Sequence, residues 1–406
     1  MDWFFAVTLL ACLQSCITLP RRNLEGHFIG EGSNDLATSI LKGYEHDTSN
    51  FVFSPLGYST ILAILAEGAV GKTREEIVST LKFPIDNTVV RETFKTVLQR
   101  MTDKETLNKP EFKTYFYIYK NISVHDEYRK VLLENYLTEV KSVERPEEEG
   151  TIEISYESST ETSEGCLFFR STCNFKQFSF SDIQSKMIVF NGLYFKGSFV
   201  TPFQTTKNQT DGVFYTSEKE KLPAEMMNAL GNFQYGELTD LDAKAIELPY
   251  EGGRYSLLIL LPRTRGGLSK LVADLSGYSL RNLHKQMSVQ PVSVRLPKFD
   301  FRAISKPVSI LKKSGISSIF STDADLSRLS PDEGLFLNEL VQLVTIKVDE
   351  DSSSTNLLTA SALSLRSIYS VKFYADHPFL FFLRDHQENI IISAGKIANP
   401  SERYKN

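Results

Sequence analysis

FYADHPFLF occupies residues 373–381 and opens an apolar run that continues to Leu383. Another apolar run covers residues 335–348. Between the two lies VDEDSSSTNLLTASALSLRS, residues 348–367, polar at first, then mildly apolar, without Gly or Pro. Compact domains seldom carry structureless connections beyond about 12–15 residues, and those that do generally use them. This connection is therefore a candidate functional segment.

The chain has 406 residues, 41% hydrophobic and 23% charged, the values of an ordinary globular protein. Its formal net charge of −5 is mild, and no Lys/Arg cluster marks a surface for nucleic acid, heparin or an anionic membrane. An apolar run over residues 3–13 is too short to span a bilayer and suits the core of a secretory signal peptide. The usual basic flank is absent, which leaves a buried N-terminal helix as the alternative. No later run reaches the roughly 18 apolar residues of a spanning helix. The expectation is a signal peptide over residues 1–19, a secreted, extracellular product, and one domain over residues 20–406. The only Trp, Trp3, would leave with the peptide.

Of four cysteines, Cys12 and Cys16 would leave with it too. Cys166 and Cys173 could pair in an oxidising compartment or remain buried thiols. Their spacing does not suit a zinc site, which needs closer pairs and four ligands. Asn121-Ile122-Ser123 and Asn208-Gln209-Thr210 are glycosylation sequons, usable on a secreted chain.

Helical periodicity runs through residues 36–45, 58–66, 91–101 and 128–140, and Thr73-Arg74-Glu75-Glu76 offers a capped helix start. From about Met187 the texture changes. Runs at 187–195, 245–249, 256–261 and 292–296 are rich in Val, Ile, Leu, Phe and Tyr and bounded by Gly, Pro and Asn, as strands are. Helical segments recur at 268–275 and 305–314. Helices first and then many strands argue for an α+β fold with large antiparallel sheets. No linker divides the chain and no repeat is present; residues 144–165, with eight acids among Ser and Thr, read as a solvated loop or insertion.

Catalytic motifs are missing. Gly68-Ala69-Val70-Gly71-Lys72-Thr73 looks like a phosphate loop, but Ala66 stands where the first Gly belongs and a helical pattern precedes it. The six histidines form no close-spaced ligand set, and neither a His-Glu-x-x-His pair nor a Gly-x-Ser-x-Gly elbow occurs. A triad assembled in space would leave no trace in the sequence. No catalytic residue, cofactor or metal is expected.

Five stretches together identify a resemblance. They are Asn50-Phe51-Val52-Phe53-Ser54-Pro55-Leu56 with Glu67-Gly68-Ala69; Phe190-Asn191-Gly192-Leu193-Tyr194-Phe195-Lys196-Gly197; Glu247-Leu248-Pro249-Tyr250 with residues 256–262; Leu296-Pro297-Lys298-Phe299; and the opening stretch. In this order the chain resembles the serpins over roughly residues 36–400, and its Tyr-Ala-Asp-His-Pro-Phe resembles arthropod members. The resemblance implies a monomeric α+β domain of three β-sheets and about nine helices with an exposed reactive loop, here residues 348–367. In inhibitory members a serine protease attacks the loop, which inserts as a new strand in the main sheet and carries the acylated protease along. With Glu350 as the first hinge residue the seventeenth is Arg366, so Arg366-Ser367 is the implied reactive bond. An Arg there suits a trypsin-like serine protease as partner. The alternative is a solvated surface Arg.

The chain departs from the inhibitory pattern. Within the hinge, Glu350, Ser352, Ser353, Thr355, Asn356, Leu357 and Leu358, the third position is Ser rather than Gly, and Thr-Asn-Leu-Leu replaces an Ala-like run. Leu in a close-packed slot costs roughly 1–3 kcal/mol through overpacking, and Asn is poor in strands and costly when buried unpaired. Thr favours strands, but the steric and polar terms are larger. In the sheet-opening region Ser54 and Asn191 match the family, while Gly57 replaces a Ser, Gln342 a His that usually bonds the Asn, and Phe199 a near-universal Trp. Gln still hydrogen-bonds, whereas loss of the indole removes an N–H and volume. The expected function is a secreted, non-inhibitory member, cut as a substrate or acting by binding; the alternative is an inhibitor of trypsin-like proteases.

Overall fold

The structure, a computed structural model, describes residues 27–44, 48–103, 105–143, 187–205, 212–275, 278, 280–337, 339–350 and 371–405. The first third is mainly helical: α1 His27–Gly43, α2 Pro55–Gly68, α3 Gly71–Thr80, α4 Asn87–Thr102 and α5 Asp126–Tyr136, with strands β1 Phe51–Phe53, β2 Glu111–Tyr119 and β3 Glu139–Val143. The rest is mainly strand: β4 Met187–Lys196, β5 Gln204–Thr205, β6 Val213–Tyr215, β7 Lys221–Pro223, β8 Met226–Leu238, β9 Ala243–Pro249 and β10 Tyr255–Pro262. After α6 Leu268–Leu275 come β11 Ser288–Pro297 and β12 Phe299–Ser305; after α7 Val308–Lys313 come β13 Glu339–Val348, β14 Val371–Tyr374, β15 Phe379–Asp385, β16 Ile390–Ile397 and β17 Tyr404–Lys405.

The strands form three sheets. One runs β17-β12-β13-β4-β2-β3; a larger one runs β1-β16-β15-β10-β9-β8-β11-β14, with β5 also on β8; β6 and β7 make a ribbon. Most pairs are antiparallel, but β4 and β13 are parallel. All residues of α2 are buried, and the helix packs on β16 and β4. A helix apolar on every side belongs inside a core. Seven α-helices lie among the described residues, against about nine expected.

Three helix expectations shift. Thr73 does not cap: Val70 stands at the N-cap of α3, and Thr73 is buried, its Oγ1 accepting the Asp325 N–H at 3.0 Å. The segment 128–140 stops being helix at Tyr136, because Leu137 turns left-handed (φ 50°) and Val140 pairs with Phe116 in the sheet. The segment 305–314 starts as strand: Ser305 ends β12, whose burial alternates, and α7 begins only after Pro307. Pro lacks an N–H and is tolerated where a helix begins.

The phosphate-loop look-alike joins one helix to another. The opening stretch spans β14, a tight turn and β15. His377, buried in that turn, has Nδ1 2.8 Å from Asp376 Oδ1 and Nε2 2.8 Å from the Pro262 carbonyl oxygen. Among the described residues no helix is long and apolar enough to cross a membrane.

Candidate functional site

The reactive loop itself lies outside the described residues: Ser352, Ser353, Thr355, Asn356, Leu357, Leu358, Arg366 and Ser367 all fall there. So do Cys166, Cys173, Asn208, the tract 144–165 and residues 1–19. What is described is the sheet that such a loop would have to enter and, of the expected hinge, Glu350 alone.

Strands β4 and β13 pair directly from Ile188 beside Glu339 to Lys196 beside Lys347. Asn191 and Gln342 face each other near the centre of this ladder. Gln342 Nε2 donates to Asn191 Oδ1 at 3.1 Å and to the Ser54 carbonyl oxygen at 3.0 Å, while its Oε1 accepts the Ser54 N–H at 2.7 Å. Asn191 Nδ2 donates to Thr114 Oγ1 at 3.0 Å and to the Lys113 carbonyl oxygen at 3.1 Å on β2. Ser54 is the N-cap of α2: its Oγ accepts the Gly57 N–H at 3.0 Å and donates to the Ile392 carbonyl oxygen at 2.5 Å. Ser54, Asn191 and Gln342 are fully buried. An unpaired buried amide costs roughly 1–3 kcal/mol, so this network reinforces the backbone ladder between the two strands while it stays intact.

Phe199, beyond the end of β4, is buried and stacks on Tyr250 at 4.4 Å between ring centroids, with Phe203 edge-on at 5.2 Å. The Tyr250 hydroxyl is buried without a hydrogen-bond partner among the described residues. Phe199 is held there by ring packing and by an antiparallel β-bridge to Tyr250.

At the hinge, Lys298 Nζ donates to Glu350 Oε1 at 2.5 Å and lies 3.5 Å from Glu225 Oε2. Lys347 pairs with Asp349 at 3.3 Å. These groups line a cleft of about 540 Å³ with Asp300 and Arg403. Burial pushes the Asp300 carboxyl up, opposed by Lys347 and Arg403. Of the two sequons, Asn121 is exposed in the turn after β2.

Sequence reading missed one cluster. Ser256 Oγ donates to Glu247 Oε1 at 2.6 Å, Arg384 Nη1 donates to the same oxygen at 3.2 Å, and His386 Nε2 lies 2.8 Å from Ser256 Oγ and 3.3 Å from Glu247 Oε1. Burial alone would push Glu247 up, but His386, Arg384 and Ser256 more than offset it and hold the carboxyl at about 2. Serine and acid meet the same imidazole nitrogen, whereas a nucleophile relay sets them on opposite ones, and Ser256 is fully buried. The group is an ion-pair network between strands. Its only signal in the sequence is an acid inside an apolar strand run. Among the described residues no group of three or more His, Cys, Asp or Glu could hold a metal.

A family profile described as Serpin (serine protease inhibitor) matches residues 31–400. An uncharacterized serpin-like protein of Thermococcus kodakarensis is 30% identical, with 91% of this chain and 85% of the relative covered. Iripin-3 of the tick Ixodes ricinus is 27% identical over 90% of this chain and 93% of its own. Among solved structures, uncleaved ovalbumin superposes with a TM-score of 0.77 over 92% of this chain and 100% of its own, at 21% identity, a likeness of fold. The profile across the domain, the relatives and the three-sheet architecture agree with the five sequence stretches: the chain belongs to the serpin family.

Proposed function

We propose that the protein is a secreted, monomeric, non-inhibitory serpin, released after removal of residues 1–19 as one domain over residues 20–406. In this reading it catalyses nothing itself and needs no cofactor. Its reactive loop is cut as a substrate or serves binding, without trapping the protease. One observation carries this reading: Thr355-Asn356-Leu357-Leu358, preceded by Ser352, stands where small residues would ease insertion. Bulky Leu and an Asn amide raise the cost of entering a close-packed sheet within the lifetime of an acyl-enzyme. Any new strand there would have to part the β4–β13 ladder and rupture the Asn191–Gln342 bond.

A second reading, inhibition of a trypsin-like serine protease, is favoured by Arg366 at the seventeenth hinge position. Mixing the protein with trypsin separates the two. The proposal expects cleavage at Arg366-Ser367 and fully active trypsin. A covalent complex that survives denaturing electrophoresis overturns it in favour of the second reading.

A further inference from the structure

Both ring nitrogens of the buried His377 meet oxygens that only accept. Nε2 lies 2.8 Å from the Pro262 carbonyl oxygen, so Nε2 carries a proton and donates it. Nδ1 lies 2.8 Å from Asp376 Oδ1. A neutral imidazole has one N–H and one lone pair. With its N–H spent on Pro262, a neutral His377 would turn the lone pair on the carboxylate. Burial pushes the Asp376 carboxyl up, but the hydrogen bond and charge of His377, helped by Arg265, hold it below the usual carboxylate range. An ionised Asp376 in this position needs a second N–H, and only the imidazolium has two.

We propose that Asp376 and His377 form a proton-held fastener that ties the β14–β15 turn to the end of β10 and loosens as rising pH removes a proton from the imidazole. The turn gathers several elements. The Ala375 N–H donates to the Arg295 carbonyl oxygen on β11 at 2.8 Å, and the Tyr215 N–H on β6 donates to the Asp376 carbonyl oxygen at 2.8 Å. Arg265, in the connection from β10 to α6, stacks over the Tyr215 ring with its guanidinium carbon 3.3 Å from the centroid. Of the groups these elements bring to the pair, Arg265 stays charged, β6, β10 and β11 contribute backbone groups, and Asp376 is already ionised. The imidazole is the one that can change charge between about pH 6 and pH 9. Once it is neutral, one of its two contacts sets a lone pair against an acceptor oxygen, and that buried bond is lost. The fastener acts whether or not the loop inserts, so it stands or falls separately from the non-inhibitory reading.

The test compares the full chain with D376N from about pH 6 to pH 9. A proton held more tightly by the fold than by the unfolded chain stabilises at low pH, and that stability is lost as pH rises. An Asn amide can either accept from the imidazolium or donate to the lone pair of the neutral ring, so in D376N both nitrogens stay satisfied at either end of the range. Hydrogen exchange gives the local readout. In the wild type, protection of peptides over residues 373–383, corrected for the intrinsic effect of pH, should fall by about 10-fold or more across the range, while β12 and β13 hold theirs. In D376N the protection of 373–383 should stay level. Because other histidines titrate in the same range, melting is read as a difference: the wild type should lose about 2 °C or more of Tm beyond whatever D376N loses. A wild-type turn equally protected at both ends of the range, a D376N turn that follows the wild type, a loss shared equally by β12 and β13, parallel Tm curves, or a D376N chain that does not fold would overturn the proposal.

Discussion

Lys298 Nζ sits 2.5 Å from Glu350 Oε1, so the residue proposed as the first of the hinge is tethered to the short connection between β11 and β12. Lys298 is largely buried and Glu350 about a quarter exposed, at 17% and 28%, which places the pair between a surface ion pair and a buried one. K298A should cost about 1–2 kcal/mol, because Glu350 Oε1 loses its Lys298 partner while Oε2 is already buried without one among the described residues. Cleavage of the loop by limiting trypsin should accelerate severalfold. An unchanged cleavage rate with lowered stability would place the tether's effect elsewhere than the hinge.

Glu247 makes stability depend on acid. Its folded carboxyl is held at about 2, below the roughly 4.3 of an unfolded Glu. A depressed carboxylate contributes stability that is fully present above the unfolded value and is lost as pH falls through the folded one. About 3 kcal/mol should therefore disappear between roughly pH 5 and 2. E247Q should be less stable at neutral pH, because Arg384 loses its charged partner, yet flatter over that acid window. Denaturant melts at stepped pH measure both; parallel curves for the two proteins would contradict the assignment.

Cleavage at Arg366-Ser367 should change Tm by little. A loop that inserted as a central strand would gain ladder bonds and buried area, and melting would rise sharply. Replacing Ser352 with Gly and residues 355–358 with Ala should confer some covalent trapping of trypsin. If this variant also fails to trap, the obstacle lies in the Gly57–Gln342 pair or the tract 144–165 rather than in the hinge.

The secreted product should begin after residue 13, lack Trp fluorescence and carry a glycan at Asn121, the exposed sequon. N-terminal sequencing that finds Met1, or an N121Q variant that loses as much mass as the wild type on glycosidase treatment, would refute the respective part.

Much of the architecture was readable without coordinates because it is local. Strand runs such as 187–195 and 256–261 lie within β4 and β10, since β-branched and aromatic residues bounded by Gly and Pro specify extended chain over a short window. The failures had non-local causes. The helical pattern of 128–140 continues past Tyr136, but Leu137 adopts a left-handed conformation and Val140 is claimed by β2. Thr73 reads as a cap, yet a residue 252 positions away takes its hydroxyl.

By itself the sequence showed the family resemblance, several of the helices and strands, and the composition of residues 350–366. Only the tertiary structure decided that Gly57 leaves no room for a side chain beside the Asn191–Gln342 bond, and that Glu247, Ser256, Arg384 and His386 form one network. The reason is register. Which residues meet across a sheet follows from burying whole strand faces at once, and a slip of one residue would turn every one of them to the opposite face.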